Sequence, residues 1–450
     1  MKQMIFFTLS LFTLLFFNDT QAQVTNPAKP WSIGDCFKYA SEHNIQISTL
    51  RLNEQSAQQD FWSAKGMKIP SLSGSVSNSF NNANNSNGSG GLVNQLSGNG
   101  SYSVNSGIIL WNANSINITI QQRQLLTRSA GLSVQQTFKD ITLAITQGYL
   151  NILLSKENLK YLADLESTSE AMVRQGQQFF DAGSIAKKDL LQLQAQLASN
   201  KYLVVQSQNA ILQNLLSLKQ MLQLPTDTAF DIVTPDSATV IPEPVLMPLQ
   251  EVQQAALHDF PDIQIGKLGV DLASLGIEQA HAGFKPTLSA NGSIGSGYSD
   301  VITNSVFPKT GFLTQNGNNF FQRVGVTLSV PIFSNRTNKA NLAKANIAYK
   351  EANLNLQNDQ LVLSQAVEQA YLNASNAMHS YDAANEQLKA AVESYRITKE
   401  QFKLGAINVY DLLQQQNQYV QAVQAFTQSK YTSVLQQKIY EFYMGKPVTL

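Results

Sequence analysis

The residues able to do chemistry are few, and their spacing argues against an enzyme. The four histidines, His43, His258, His281 and His379, are scattered along the chain. They lack the close spacing that lets a helix or loop present ligands to a metal, and each reads as an ordinary surface or packing residue. The single cysteine, Cys36, makes an intramolecular disulfide impossible. It sits in a helical pattern, Trp31-Ser-Ile-Gly-Asp-Cys-Phe37, and not directly after an apolar leader, which argues against lipid modification. There is no Gly-x-Ser-x-Gly, no His-Glu-x-x-His and no phosphate loop. Gly292-Ser-Ile-Gly-Ser-Gly297 lacks the glycine spacing of a dinucleotide site and reads as strand. No catalytic residue, metal or cofactor is expected.

What remains is a pair of acids in two similar turns. Phe180-Asp-Ala-Gly-Ser-Ile-Ala-Lys-Lys-Asp-Leu-Leu-Gln192 is echoed by Phe402-Lys-Leu-Gly-Ala-Ile-Asn-Val-Tyr-Asp-Leu-Leu-Gln414. Gly183 and Gly405 can each close a helix by taking the left-handed conformation. Asn408 can then cap the following helix, with Asp411 at its third position beside the partial positive charge of the N-terminus. An acid placed so, at Asp411 or Asp189, stabilises the first helical turn by about 0.3–1 kcal/mol, a purely structural role.

The constant spacing between these turns also relates Trp111 to Phe333, Gln147-Gly-Tyr-Leu-Asn151 to Gln369-Ala-Tyr-Leu-Asn373, Arg174 to Arg396, and Pro225 to Pro447. This is an internal duplication. Its period far exceeds the roughly 20 to 50 residues of solenoid repeats, so it implies two equivalent halves about a pseudo-symmetry axis. A first repeat over 23–225, a linker over 226–247 and a second repeat over 248–450 follow.

The chain begins Met1-Lys2-Gln3-Met4, continues as an apolar run from Ile5 to Phe17 and reaches the small-residue site Thr20-Gln21-Ala22. Residues 1–22 read as a signal peptide. Later windows never approach the roughly 20 uninterrupted apolar residues that a spanning helix needs. Lys plus Arg and Asp plus Glu balance at 31 each, and charged residues make up 14% of the chain, low against a usual value of about 25%. Nucleic acid is not expected as a partner. Gln, Asn, Ser and Ala replace the missing charge, a usage suited to packed helix surfaces and uncharged polar strands.

Each half predicts a helix, two strands joined by a loop, and two long helices. Ser32 caps a first helix with Asp35 three residues on, and the helical pattern runs to about Gly66, ended by Pro70. The counterpart runs from about Leu249 to Gly283 and is ended by Pro286. The period then switches to two. Leu72, Val76 and Phe80 oppose Ser71, Ser73, Ser75, Ser77 and Ser79; Leu96, Tyr102, Val104, Ile108 and Leu110 oppose Ser97, Ser101, Ser103 and Asn105. The second half repeats this with Leu288, Ala290, Ile294 and Tyr298, then with Val324, Val326, Leu328, Val330 and Ile332 against Arg323, Gly325, Thr327 and Ser329. Strand pairs over about 70–111 and 286–333 result, with strands of about ten residues, the length a tilted strand needs to cross a bilayer. A soluble antiparallel sheet with one face on a helix would alternate in the same way. The connections Asn81 to Gln95 and Asp300 to Asn319 read as mobile solvent loops.

Long helices complete each half, from about Asn114 to Phe180 and Lys187 to Leu222, and from about Asn335 to Lys403 and Val409 to Met444. At 1.5 Å per residue the longest reaches about 100 Å, and side-by-side antiparallel coiled-coil packing must stabilise it. Four strands cannot close a membrane barrel, and lipid does not tolerate open strand edges. If the strands lie in lipid, several chains must pool them.

The chain resembles the TolC family of outer-membrane efflux proteins over about Trp31 to Pro447. The carriers are the duplication, the junction Ser329-Val-Pro-Ile-Phe-Ser-Asn335 with its counterpart Ile108-Ile-Leu-Trp-Asn112, and the two Phe-x-x-Gly-x-Ile-x-x-x-Asp-Leu-Leu turns. The resemblance implies a mixed fold, all-α plus membrane β-barrel. Four strands per chain would contribute to a trimeric twelve-stranded barrel in outer-membrane lipid, continued by a long antiparallel coiled-coil α-barrel in the periplasm. It implies an exit duct of a tripartite efflux or type I secretion system, passive in itself. Small molecules or proteins would arrive from an inner-membrane RND or ABC transporter through a periplasmic adaptor. The resemblance also places Asp411 in a pore-constricting ring of acids and Asp189 in the network that holds the turn. This chain has Phe402 where well-known members have tyrosine, Ile407 where they have arginine, and Gln414 where they have a second acid, so closure would rest more on packing than on salt bridges. The small-residue turns Ala182-Gly183-Ser184 and Leu404-Gly405-Ala406 suit docking of adaptor hairpin tips. The competing reading is an exported coiled-coil scaffold without transport activity.

Overall fold

The computed structural model describes residues 30–86, 91–236, 239–243, 246–302 and 310–448. The signal segment expected over 1–22 lies outside them. The chain opens with α1 (Ile33–His43) and α2 (Ile45–Gly66), where one continuous helix was expected. Asn44 divides them: its backbone is extended, and its Oδ1 accepts from the amides of Gln46 at 2.9 Å and Ile47 at 3.2 Å, so it ends one helix and caps the next. In the second half α5 (Leu249–Asp259) and α6 (Pro261–Ala282) are parted at extended Phe260, with Pro261 at the first helical position where its missing N–H is harmless. The Ser32 cap forms as expected, its Oγ accepting from the Asp35 amide while the Asp35 carboxylate accepts from the Ser32 amide.

Strands β1 (Ser71–Ser86), β2 (Leu92–Trp111), β3 (Thr287–Val301) and β4 (Phe321–Ser329) form one antiparallel sheet in the order β1-β2-β3-β4. At 16, 20 and 15 residues, three of them exceed the expected ten. The extra length comes from stretches expected to be loop. Asn81 to Ser86 pair with Ser97 to Leu92, and Asn84–Asn94 and Asn85–Gln95 side-chain hydrogen bonds of 3.1 and 3.0 Å tie them across. Ladder bonding is a backbone property, so a run rich in Asn and Ser pairs wherever a partner strand fixes it. In the second connection β3 continues to Val301, and a short helix α7 (Phe312–Asn318) follows. Residues 87–90 and 303–309 of these connections lie outside the described residues.

Register makes the sheet two-faced. Leu72, Val76, Phe80, Val104, Ile108, Ile294, Leu288, Val324, Val326 and Leu328 stack on one face; Ser71 to Ser79 at odd positions, Ser101, Ser103, Asn105, Ser293 and Thr327 stack on the other. The polar face is stitched by Ser75–Ser103 and Ser77–Ser101 hydroxyl contacts of 2.7 and 2.8 Å. Most of the apolar face is uncovered, with Leu72, Val76, Phe80 and Val324 76%, 70%, 74% and 88% exposed, while α7 meets it at the end of β3, where Phe312 lies edge-on to Tyr298 at 5.0 Å.

Both strand-to-helix junctions use two consecutive left-handed residues, Ala113-Asn114 and Asn335-Arg336. They lead into α3 (Ser115–Asp181) and α8 (Thr337–Lys403), each 67 residues and therefore about 100 Å long. The return helices are α4 (Lys187–Met221) and α9 (Val409–Phe442). The eight ends of these four helices agree with the sequence reading to within two residues. The main core lies at the middle of α3 and α8, beside the ends of α4 and α9, where Ile145, Ile152, Leu153, Leu218, Val252, Ile263, Val367 and Tyr440 are buried together. The segment expected as a linker joins that core through Ile232 and Val240, and its Asp231 carbonyl accepts from the Trp31 amide at 2.9 Å. Among the described residues, no helix is long and apolar enough to cross a membrane.

Candidate functional site

Both long hairpins turn at the end far from the sheet. After α3, Gly183 adopts φ +74°, its amide donating to the Phe180 carbonyl at 2.9 Å and the Ser184 amide to the Phe179 carbonyl at 2.7 Å. After α8, Gly405 adopts φ +69°, with Gly405 to Phe402 at 3.0 Å and Ala406 to Gln401 at 2.9 Å. This double bond pattern satisfies the last carbonyls of each helix and needs the left-handed glycine. Ala182, Gly183 and Ser184 are exposed, as are Leu404, Gly405 and Ala406. A Cβ at either glycine would meet open space, so backbone conformation alone demands glycine there.

Helix α9 begins on the expected Asn408 cap, and α4 begins without a side-chain cap at Ala186. Asn408 Oδ1 accepts from the Asp411 amide at 2.9 Å. Asp189 Oδ2 accepts from the Ala186 amide at 3.3 Å; Ala186 offers no side-chain acceptor in return. Asp411 and Gln414 are exposed, while Asp189 and Ile407 are half-buried. Phe402 points away from solvent. It is 2% exposed, stacks edge-on to Phe179 at 5.9 Å, and packs with Met172, Leu193, Tyr395, Val409 and Leu412. Its part in the turn is therefore played from inside the helix packing. The two turns meet: a cleft of about 630 Å³ is bordered by Phe179, Asp189 and Ile407 together with Gly405, Asn408 and Asp411.

Above the turns, the two hairpins are tied by buried polar contacts that sequence reasoning missed. Asn200 of α4 donates to Ser169 Oγ of α3 at 2.6 Å, and Gln416 of α9 donates to the same oxygen at 3.0 Å. Farther up, Glu157 of α3 meets Lys430 of α9 at 3.4 Å, and the Tyr431 hydroxyl donates to the same carboxylate at 2.5 Å. Burial, with the neighbouring carboxylate, holds the Tyr431 phenol far above its usual range. Burial likewise raises Tyr395 and, with help from Asp164, Tyr419; their rings stack at 5.0 Å. A polar residue on a Gln- and Asn-rich helix carries no mark distinguishing buried from solvated positions; only the partner helix supplies it.

Among the described residues, no group of three or more His, Cys, Asp or Glu is disposed to hold a metal. Cys36 is fully buried and its thiol is pushed up to about 12, first by burial and then by the Asp35 carboxylate, far from a reactive thiolate. What the geometry offers is a surface: exposed acids and small turns at one end, a two-faced sheet at the other, and long helices between.

Comparisons with known proteins agree with that form. Over the region that matches, the chain is 21% identical to TolC of Escherichia coli K12 across 318 residues, covering 70% of this chain and 63% of the relative's length. It is 20% identical to TolC of Vibrio cholerae across 416 residues, covering 90% and 88%. Its fold superposes on the crystal structure of the Campylobacter jejuni CmeC outer membrane channel with a TM-score of 0.73 at 18% identity, over 92% of this chain and 85% of that one. The family described as "Outer membrane efflux protein" matches residues 38–223 and 252–438, most of the chain, so the protein belongs to the outer-membrane efflux protein family.

Proposed function

We propose that this protein is the exit duct of a tripartite efflux or type I secretion system. Three chains pool their strands into a twelve-stranded barrel in the outer membrane, and their helices continue as a tube through the periplasm. The carrying observation is the sheet. Four strands with two open edges, β1 and β4, present a largely uncovered apolar face on one side and a serine-lined face on the other. In lipid, open edges leave backbone groups unsatisfied, and closure with neighbouring copies removes them while placing the apolar face outward. Two repeats per chain would give six similar units around one pore.

Transport is passive on this reading, and an inner-membrane RND or ABC pump delivers small molecules or proteins through a periplasmic adaptor. Asp411 and Gln414 face the lumen at the constriction, with Ile407 and the Phe402 cluster holding the turn shut and Asp189 bracing its partner. Ala182 to Ser184 and Leu404 to Ala406 receive the adaptor tips. The test combines fractionation with function. Extraction from the outer membrane as a heat-sensitive trimer, single-channel conductance in planar bilayers, and dye accumulation in a deletion strain are expected together. Recovery from the soluble periplasm without conductance would instead establish the exported scaffold.

A further inference from the structure

Charge is almost absent from the described strands. β1 and β2 carry none, β3 carries Asp300 near its end, and β4 carries Arg323. The two charges lie on opposite faces. Asp300 pairs with Gly98, which pairs with Phe80, so it belongs to the rim of the apolar face. Arg323 pairs with Ser293, Ser293 with Asn105, and Asn105 with Ser73, so it stands in a row otherwise made of small uncharged polar residues.

The side chain is seated against the sheet. The guanidinium carbon lies 6.0 Å from the Phe321 ring centroid, within reach of a cation–π contact. The Phe321 ring in turn lies where Gly295 has no side chain; a Cβ there would come within 2.8 Å of the ring. Glycine thus leaves room for the ring against β3, and Arg323, beside that ring, is exposed. Among the described residues no carboxylate pairs with it. Closure of the barrel would bring none either. β4 is one open edge and β1 the other, and the β1 row on this face is Ser71, Ser73, Ser75, Ser77 and Ser79.

We infer that Arg323 forms a ring of positive charge on the lumen wall of the barrel, one guanidinium per chain, which favours anionic over cationic solutes at that level. The inference rests on the duct reading above. It gives the barrel a sign opposite to that of the Asp411 turn, so the two ends of the duct would discriminate charge in opposite senses. Screening sets the reach of such a ring: the Debye length is about 30 Å at 0.01 M salt and about 3 Å at 1 M. Ion preference should therefore depend on Arg323 at low salt and lose that dependence at high salt.

The test is reversal potential across planar bilayers holding the full-length protein in a KCl gradient. At about 0.01 M, Arg323→Gln should lower the chloride-to-potassium permeability ratio roughly two-fold or more, and Arg323→Glu should lower it further. Arg323→Lys should keep it. In the inserted Arg323→Cys channel, a cationic thiol reagent should restore the ratio and a neutral one should not; buried Cys36 stays out of reach. Conducting channels with the same low-salt ratio in wild type, Arg323→Gln and Arg323→Glu overturn the ring while leaving the duct intact. Absence of any conductance from wild type overturns the duct and the ring with it.

Discussion

Asp411 is proposed to line the pore and also lies in the capped first turn of α9, and substitutions at Asn408 and Asp411 separate the two roles. Its amide is held by Asn408 at 2.9 Å, while its carboxylate is exposed beside the cleft between the turns. Asn408→Ala removes the capping acceptor and should destabilise the α9 start by about 1 kcal/mol with ion preference unchanged. Asp411→Ala should weaken cation selectivity in bilayer recordings and lower stability by only about 0.3–1 kcal/mol. Unchanged ion preference in Asp411→Ala would leave the acid as a cap alone. The cap was legible because Asn followed three residues later by Asp is a local pattern. The burial of Phe402 was not, since half of the ring's surroundings, Phe179, Met172 and Leu193, come from the other hairpin.

At the scale of the helices, the contact between α3 and α9 decides how the two hairpins of a chain hold together. Glu157 and Lys430 are 6% and 5% exposed. Removing one partner strands a buried charge, so Lys430→Met should lower stability by about 3–5 kcal/mol, whereas Glu157→Leu with Lys430→Met should recover much of it. The midpoint of thermal unfolding reads this out; equal loss in single and double variants would show that the Tyr431 bond dominates. The hairpin tips test docking. Gly405 needs a positive φ, which Asn tolerates and most residues do not. Gly405→Asn should retain efflux, while Gly405→Trp should abolish it with outer-membrane insertion intact. Efflux retained in Gly405→Trp would remove the turn from the docking surface.

For the whole molecule, the two faces of the sheet set which substitutions a membrane will accept. Val326 stacks with Ala290 and Ile108 on the exposed apolar face, and Thr327 stacks with Ser289 on the polar one. Val326→Arg should destabilise the inserted state by about 2–4 kcal/mol, and Thr327→Arg should insert normally and only alter conductance. Equal insertion of both variants would contradict an outward apolar face. The sequence by itself determined the lengths of the four long helices, the four strands, the two glycine turns and the sign of each strand face, because periodicity, capping and left-handed glycine are set by neighbours a few positions away. Tertiary structure alone decided the reach of β1 and β2 through their Asn-rich ends, the burial of Phe402, and the Ser169–Asn200–Gln416 and Glu157–Lys430 contacts. Each depends on a partner distant in the chain: a ladder bond, a solvent-free contact or an ion pair takes its energy from what the fold places opposite, and local residue order does not encode that partner.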